Sequence, residues 1–143
     1  MYSQLIKKIA EIESLPNSYV SDALRYFLPL AKVITKKITQ SSTPVVIGIS
    51  GAQGTGKTTL SCLLSQLLTK QQFKIARFSL DDFYLTKSER NLLASQEHPL
   101  LCTRGVPGTH DTGMLLTKLD GLLHQTENQI INIPKFNKAD DER

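Results

Sequence analysis

The segment from Val45 to Leu68 constrains this chain more than any other. An apolar run, Val45 to Ser50, opens onto the turn Gly51-Ala52-Gln53-Gly54-Thr55-Gly56, and a leucine-marked stretch follows from Lys57. Val45, Val46, Ile47 and Ile49 are β-branched, and a run that is apolar throughout rather than at alternate positions suits a strand buried on both faces of a parallel sheet. Leu60, Leu63, Leu64, Leu67 and Leu68 recur at helical spacing, which predicts a helix from near Gly56 to about Gln71 with one inward face. Phe73 to Leu80 reads as a second strand, and strand, helix, strand implies a right-handed parallel crossover. The expected class is α/β, with three layers, a parallel sheet and flanking helices.

Gly51, Gly56, Lys57 and Thr58 satisfy the pattern G-x-x-x-x-G-K-[ST] between that strand and that helix, the setting in which the pattern binds polyphosphate. Phosphate oxygens carry dense negative charge, so a turn that holds them must aim several backbone N–H groups inward. Gly51, Gly54 and Gly56 permit this by lacking Cβ atoms. The helix adds its positive dipole end, and Lys57 adds an ammonium for the outer phosphates. Gly51, Gln53, Gly54, Thr55, Gly56, Lys57, Thr58 and Thr59 are therefore the expected ATP-binding set. Within it, the Thr58 hydroxyl is placed on Mg²⁺ and Thr59 on the innermost phosphate. A flexible surface turn is the competing reading.

Asp81 and Asp82 stand at the carboxyl end of the second expected strand, where ligands of open α/β sheets gather, so both are expected to face the phosphate site. Phosphoryl transfer uses a carboxylate to orient the acceptor hydroxyl and take its proton, and often a second one on Mg²⁺. Asp81 and Asp82 can divide those tasks, Asp82 then being the candidate for the cation, with a capping or turn carboxylate as the alternative for either.

The sequence Ser-Leu-Asp-Asp-Phe-Tyr, Ser79 to Tyr84, following Gly51-Ala-Gln-Gly-Thr-Gly-Lys-Thr-Thr59, resembles the uridine kinase, phosphoribulokinase and pantothenate kinase group of P-loop kinases. Asp81 and Phe83 match that group's D-x-F signature, and the resemblance gives the catalytic-base role to Asp81 alone. Arg104 to Asp111, R-G-V-P-G-T-H-D, and Ile133 to Ala139, I-P-K-F-N-K-A, look like the D-glycerate 3-kinase branch, and the likeness covers about Val45 to the end. It implies that Arg104 to Asp111 is the acceptor loop. There a guanidinium such as Arg104 can pair with a small carboxylate, Lys135 and Lys138 can assist, and His110 either binds substrate or shapes the turn. A surface ion pair is the alternative for Arg104, and His98 and His124 read as ordinary polar residues. A nucleoside kinase is expected to carry an acid for ribose hydroxyls in this loop, where Gly105 stands. Asn137 follows Phe136 where the glycerate kinase pattern tends to have Asp.

Upstream, Val20, Leu24, Phe27, Ala31, Ile34 and Ile38 form a helical stripe that Pro29 should kink or divide. Leu5, Ile9 and Ile12 mark a shorter helix closed by Pro16 and Asn17. This gives an N-terminal helical segment, 1–43, ahead of a P-loop kinase part, 44–143. Lys plus Arg outnumber Asp plus Glu by 17 to 13 without a basic tract, so nucleic acid binding is not expected, although an ATPase acting on nucleic acid stays as a third reading. Cys62 and Cys102 lack metal-ligand spacing and read as reduced thiols. No apolar stretch suits a signal peptide or a membrane span, and the cytoplasm is the default compartment. Ile130 to Phe136, broken by Pro134, reads as an edge strand or hairpin. The family likeness also implies a further strand with the Walker B acid and an arginine-bearing lid. Neither is found before Arg143, so a truncated chain, a split gene product or a fragment is expected, with a second copy or a complementing chain covering apolar sheet edges. A nucleotide-binding module without catalysis is the second function class.

Overall fold

The computed structural model describes residues 2–126 and 129–143, and the chain forms two compact units, Met1–Arg77 and Phe78–Arg143. In the first, α1 (Tyr2–Ile12) buries Ile6 and Ile9 and ends where Leu15 N–H donates to the Ala10 carbonyl (2.8 Å), with Ser14 at φ 50°. After Pro16, α2 (Ser18–Asp22) runs through a π-helical turn, Ala23–Phe27, into α3 (Leu28–Gln40). Pro29 accounts for that turn. It has no N–H to give and its ring crowds the carbonyl one turn back, so the helix widens before α3 restarts with proline in its first turn.

Helix α4 (Lys57–Thr69) begins where the expected phosphate turn ends and closes at Gln72, held at φ 67°, with Phe73 N–H on the Leu68 carbonyl (3.3 Å). Its leucine stripe meets α1 and α3 in one core, in which Ile6, Ile9, Ala23, Ala31, Ile34, Leu63, Leu64, Leu67 and Leu68 are buried together. Leu63 and Leu67 are wholly enclosed, so each contributes about 2–3 kcal/mol of burial. Truncating either to Ala costs about 2–5 kcal/mol once the cavity is included. Tyr19 packs at the edge of this core against Phe27, and its buried hydroxyl has no hydrogen-bond partner among the described residues. Burial raises its pKa.

The two runs expected as sheet strands carry no ladder among the described residues. Ile49, Phe73 and Ile75 pack on the helical core, while Val46 and Ile47 are 59% and 43% exposed. Side-chain pattern decides which way a run faces. A ladder needs a neighbouring strand as well, and none is present among the described residues.

In the second unit the end of the expected strand Phe73–Leu80 is a 3₁₀ turn instead, Leu80–Phe83. Ser79 and Asp82 form a reciprocal capping box that coils the chain there. Then come α5 (Lys87–Gln96), capped by Thr86 and Glu89, a 3₁₀ turn at Pro99–Cys102, and α6 (Thr112–Leu123). Asp111 caps α6, its Oδ1 accepting Met114 N–H at 2.9 Å. Two isolated antiparallel bridges, Tyr84 with His110 and Asn137 with Glu142, are the pairings among the described residues. Ile130 to Phe136 has no ladder bonds and goes from an 86% exposed Ile130 to a buried Phe136. No helix among the described residues is long and apolar enough to cross a membrane.

Candidate functional site

The turn before α4 has the geometry of an anion cradle. Gly54 and Gly56 sit at φ 78° and 82°, backbone that side chains rarely adopt. A Cβ on Gly51 would approach the Thr55 hydroxyl to 3.0 Å. Gly56 cannot cap α4 with a side chain, so the first-turn N–H groups, including those of Thr58 and Thr59, keep the helix's positive end open toward a ligand. Lys57 curls back over the turn and donates to the carbonyls of Gly51 (2.8 Å) and Ala52 (2.6 Å), while the Thr55 hydroxyl donates to the Ala52 carbonyl (2.8 Å). The ammonium is thus stored inside the loop, and a phosphate oxygen can exchange for those carbonyls. Gln53 and Thr58 are exposed and Thr59 is half-buried. These residues fit a polyphosphate, with the Thr58 hydroxyl accessible to its cation. No cluster of three or more His, Cys, Asp or Glu suited to a metal occurs among the described residues.

The second unit gathers the other expected residues. Asp82 is 3% exposed. Its carboxylate accepts Ser79 N–H (2.9 Å) and Phe136 N–H (3.4 Å) and pairs with Lys135 Nζ (2.9 Å). Both oxygens are engaged in holding the turn, so the capping reading describes Asp82 in this structure. Asp81 pairs with Lys138 Nζ at 2.7 Å. That ammonium's hydrogen bond, foremost, holds the Asp81 carboxyl below the usual carboxylate range, with help from Lys138's charge and the Tyr84 hydroxyl and against partial burial. Tyr84 is pushed up, by burial first and then by the Asp81 charge.

The acid turn is welded to the expected acceptor loop. Leu85 N–H donates to the Thr109 carbonyl (2.9 Å) and Asp111 N–H to the Phe83 carbonyl (2.7 Å), which stacks Tyr84 on His110 with ring centres 4.3 Å apart. Gly105 and Gly108 have φ 92° and 95°, so this loop needs glycine at both. Arg104 Nη1 donates to Asp141 Oδ1 (2.7 Å) and to the Lys138 carbonyl (3.1 Å). Arg104, His110, Lys135, Lys138, Asp81 and Asp82 therefore share one unit. His98 caps its own 3₁₀ turn and His124 pairs with Asp120 on an exposed face.

Three residues here gave no sequence signal. Arg90 is fully buried, donating to the carbonyls of Leu85 (2.6 Å) and Cys102 (3.3 Å) and pairing with Asp141 Oδ2 (2.5 Å). Asp141, at φ 55°, bridges Arg90 and Arg104 over the Phe136 ring, and hydrogen bonding from Arg104 foremost lowers its pKa. Arg143 Nη1 pairs with Asp111 (3.1 Å), tying the end of the chain to the α6 cap.

Comparison with known proteins matches this architecture. The chain is 37% identical over 112 residues to an uncharacterized kinase, mug58, of Schizosaccharomyces pombe, covering 77% of this chain and 40% of that protein. It is 37% identical over 99 residues to a chloroplastic D-glycerate 3-kinase of Arabidopsis thaliana, covering 67% and 22%. The solved structure of the YGR205w protein superposes with a TM-score of 0.64 at 30% identity, covering 84% of this chain and 41% of that one. The chain thus spans two fifths or less of the curated relatives' length. The sequence profile of the KAP family P-loop domain matches residues 27–137, from the π turn before α3 to the end of the Phe136 segment, and the chain belongs to that P-loop family, with kinases among its relatives.

Proposed function

We propose that this chain is the nucleotide-binding front part of an ATP-dependent kinase that phosphorylates a hydroxyl of D-glycerate or a similar small hydroxy acid. The observation that carries the reading is the cradle: an uncapped helix end, two left-handed glycines and an ammonium folded over one turn. Gly51 to Thr59 bind the ATP polyphosphate, with Lys57 moving from the loop carbonyls to the outer phosphates. The Thr58 hydroxyl would hold Mg²⁺, which when bound would supply positive charge at the phosphate oxygens. The acceptor oxygen forms a bond to the γ-phosphorus, the bond to the bridging oxygen breaks, ADP leaves, and the acceptor proton passes to the Asp81 carboxylate. Asp81 is ionised at neutral pH, since the Lys138 ammonium depresses its pKa. Arg104, His110 and Lys135 are proposed for the acceptor and Asp82 for holding the acid turn. The 37% identity to a D-glycerate 3-kinase supports the choice of acceptor.

Mixing the chain with ATP, Mg²⁺ and a panel of hydroxy acids, polyols, nucleosides and pantothenate, while following ADP release, tests this. Turnover with D-glycerate is expected, and its loss together with ATP affinity in Lys57→Ala. ATP binding without release for any acceptor identifies a nucleotide-binding module instead. Unchanged ATP affinity and unchanged turnover in Lys57→Ala sink the cradle assignment.

A further inference from the structure

The arm assigned to an acceptor carboxylate already holds one. Arg104 gives Nη1 to Asp141 Oδ1 at 2.7 Å and to the Lys138 carbonyl at 3.1 Å, and among the described residues neither Nε nor Nη2 makes a hydrogen bond. The same Asp141 carboxylate is pinned from behind by Arg90, a wholly buried guanidinium, at 2.5 Å. Arg90 and Arg104 both lie over the Phe136 ring, 5.8 and 5.7 Å from its centre. Asp141 reaches this place from the left-handed region, at φ 55°, a conformation Asp tolerates better than most residues but at a cost. The bridge of Asn137 to Glu142 closes the tail turn that presents it. Asp141 is one-third exposed and Arg104 about the same, so the pair meets solvent.

From this geometry we infer that Asp141 is a specificity-determining residue, the resident carboxylate on the Arg104 guanidinium, which a hydroxy-acid acceptor must displace or share and which an uncharged polyol need not disturb. The inference rests on the proposed acceptor role of Arg104. Its physical core is charge. A second carboxylate on the same guanidinium meets a fixed like charge a few ångströms away, and at the effective dielectric of a half-exposed site that repulsion exceeds thermal energy. Removing the charge of Asp141 while keeping its shape leaves Arg104 a cation in want of a partner. The buried Arg90 stays hydrogen-bonded to the carbonyls of Leu85 and Cys102 and to an amide oxygen at position 141.

The test is calorimetric titration of the full chain with D-glycerate and with glycerol, for wild type, Asp141→Asn and Asp141→Glu, so that binding is read whether or not phosphate is transferred. Asp141→Asn is expected to raise the preference for D-glycerate over glycerol by roughly tenfold or more, while Asp141→Glu, which keeps the charge, restores the wild-type ratio. An unchanged or lowered ratio in a folded Asp141→Asn chain overturns the inference, because Asp141 then only supports Arg104. The wild-type chain gives a second readout that needs no variant. In carbon NMR with labelled aspartate, D-glycerate should shift the Asp141 carboxyl signal and glycerol should not, and saturation by D-glycerate without that shift overturns it equally. Absence of ADP release with every acceptor would instead count against the kinase reading and leave these binding results standing.

Discussion

Replacing Arg90 with Met should unlock the second unit. Arg90 is wholly buried and its guanidinium joins three stretches far apart in sequence: Leu85 beside the acid turn, Cys102 just before the proposed acceptor loop, and Asp141 in the tail. Methionine keeps much of the aliphatic volume and removes every donor. Losing one partner of a buried ion pair costs about 3–5 kcal/mol, against which the released desolvation of the cation counts in part. Asp141 is one-third exposed and keeps Arg104, which places the electrostatic loss at the lower end. The carbonyls of Leu85 and Cys102, left short of a donor, add about 1 kcal/mol each. The sum, about 5 kcal/mol, corresponds to a fall in melting temperature of about 15 °C for a chain of this size.

The check is thermal unfolding by circular dichroism together with amide exchange read by mass spectrometry. Residues 80–111 and the tail should lose protection in Arg90→Met, while α1 to α4 keep theirs. Arg90→Lys, which retains charge without the planar fork, should fall between the two. A melting temperature within about 2 °C of wild type, with protection unaltered across residues 80–111, would show that the guanidinium contributes little and that the loops are held by their backbone bridges alone.

Asp111→Ala removes the side-chain cap of α6 and the partner of Arg143, and urea denaturation should register a loss of about 1–2 kcal/mol. Tyr19→Phe deletes a buried hydroxyl that has no partner and should leave stability unchanged or raise it by up to about 1 kcal/mol, and a loss of more than that in the same assay would mean that the hydroxyl is satisfied after all. Asp81, Glu89 and Asp141 have pKa values depressed by hydrogen bonds, from Lys138, Thr86 and Arg104 respectively. A depressed folded pKa gives stability that is present above the unfolded value, near pH 4, and lost as pH falls through the folded one. Melting temperature should therefore be flat from pH 7 to about 5 and fall steeply below 4, and Lys138→Met should soften that acid limb. An unchanged limb in Lys138→Met would remove the Asp81 pairing from the account.

The parts legible in the sequence are those whose cause is local. The turn from Gly51 to Gly56 has to be open and left-handed because the residues that would forbid it are absent, and Lys57 has to lie near it because the motif sets the interval. Pro29 dividing the helical stripe follows from a missing N–H. The sheet was not legible in the same way. Val45 to Ser50 has the composition of a strand, yet a ladder depends on a neighbour elsewhere in the fold, and the described residues leave Val46 and Ile47 exposed. Arg90 was invisible for a related reason. Its position in the polar helix Lys87–Gln96 looks solvated, and only carbonyls 5 and 12 residues away and a carboxylate 51 away make its burial tolerable. Of the adjacent acids Asp81 and Asp82, sequence left the second open between metal and cap, and in this structure it sits in the capping box with Ser79.

That division of labour between adjacent acids bears on the chemistry proposed for Asp81. Asp82 spends its charge on Ser79, Phe136 and Lys135 and so fixes the 3₁₀ turn, which leaves Asp81 on the outer side, held by Lys138. A carboxylate with a depressed pKa is a weak proton acceptor, which would disqualify it wherever the nucleophile must be fully deprotonated before attack. Phosphoryl transfer does not impose that demand, because its transition state is loose and bond formation to the acceptor lags behind cleavage of the leaving group. The acceptor proton becomes acidic only late, once the new bond to phosphorus has formed, and even a weak base then suffices. What the reaction needs earlier is an ionised, immobile oxygen that orients the hydroxyl, and the ammonium of Lys138 keeps Asp81 in that state across the neutral range.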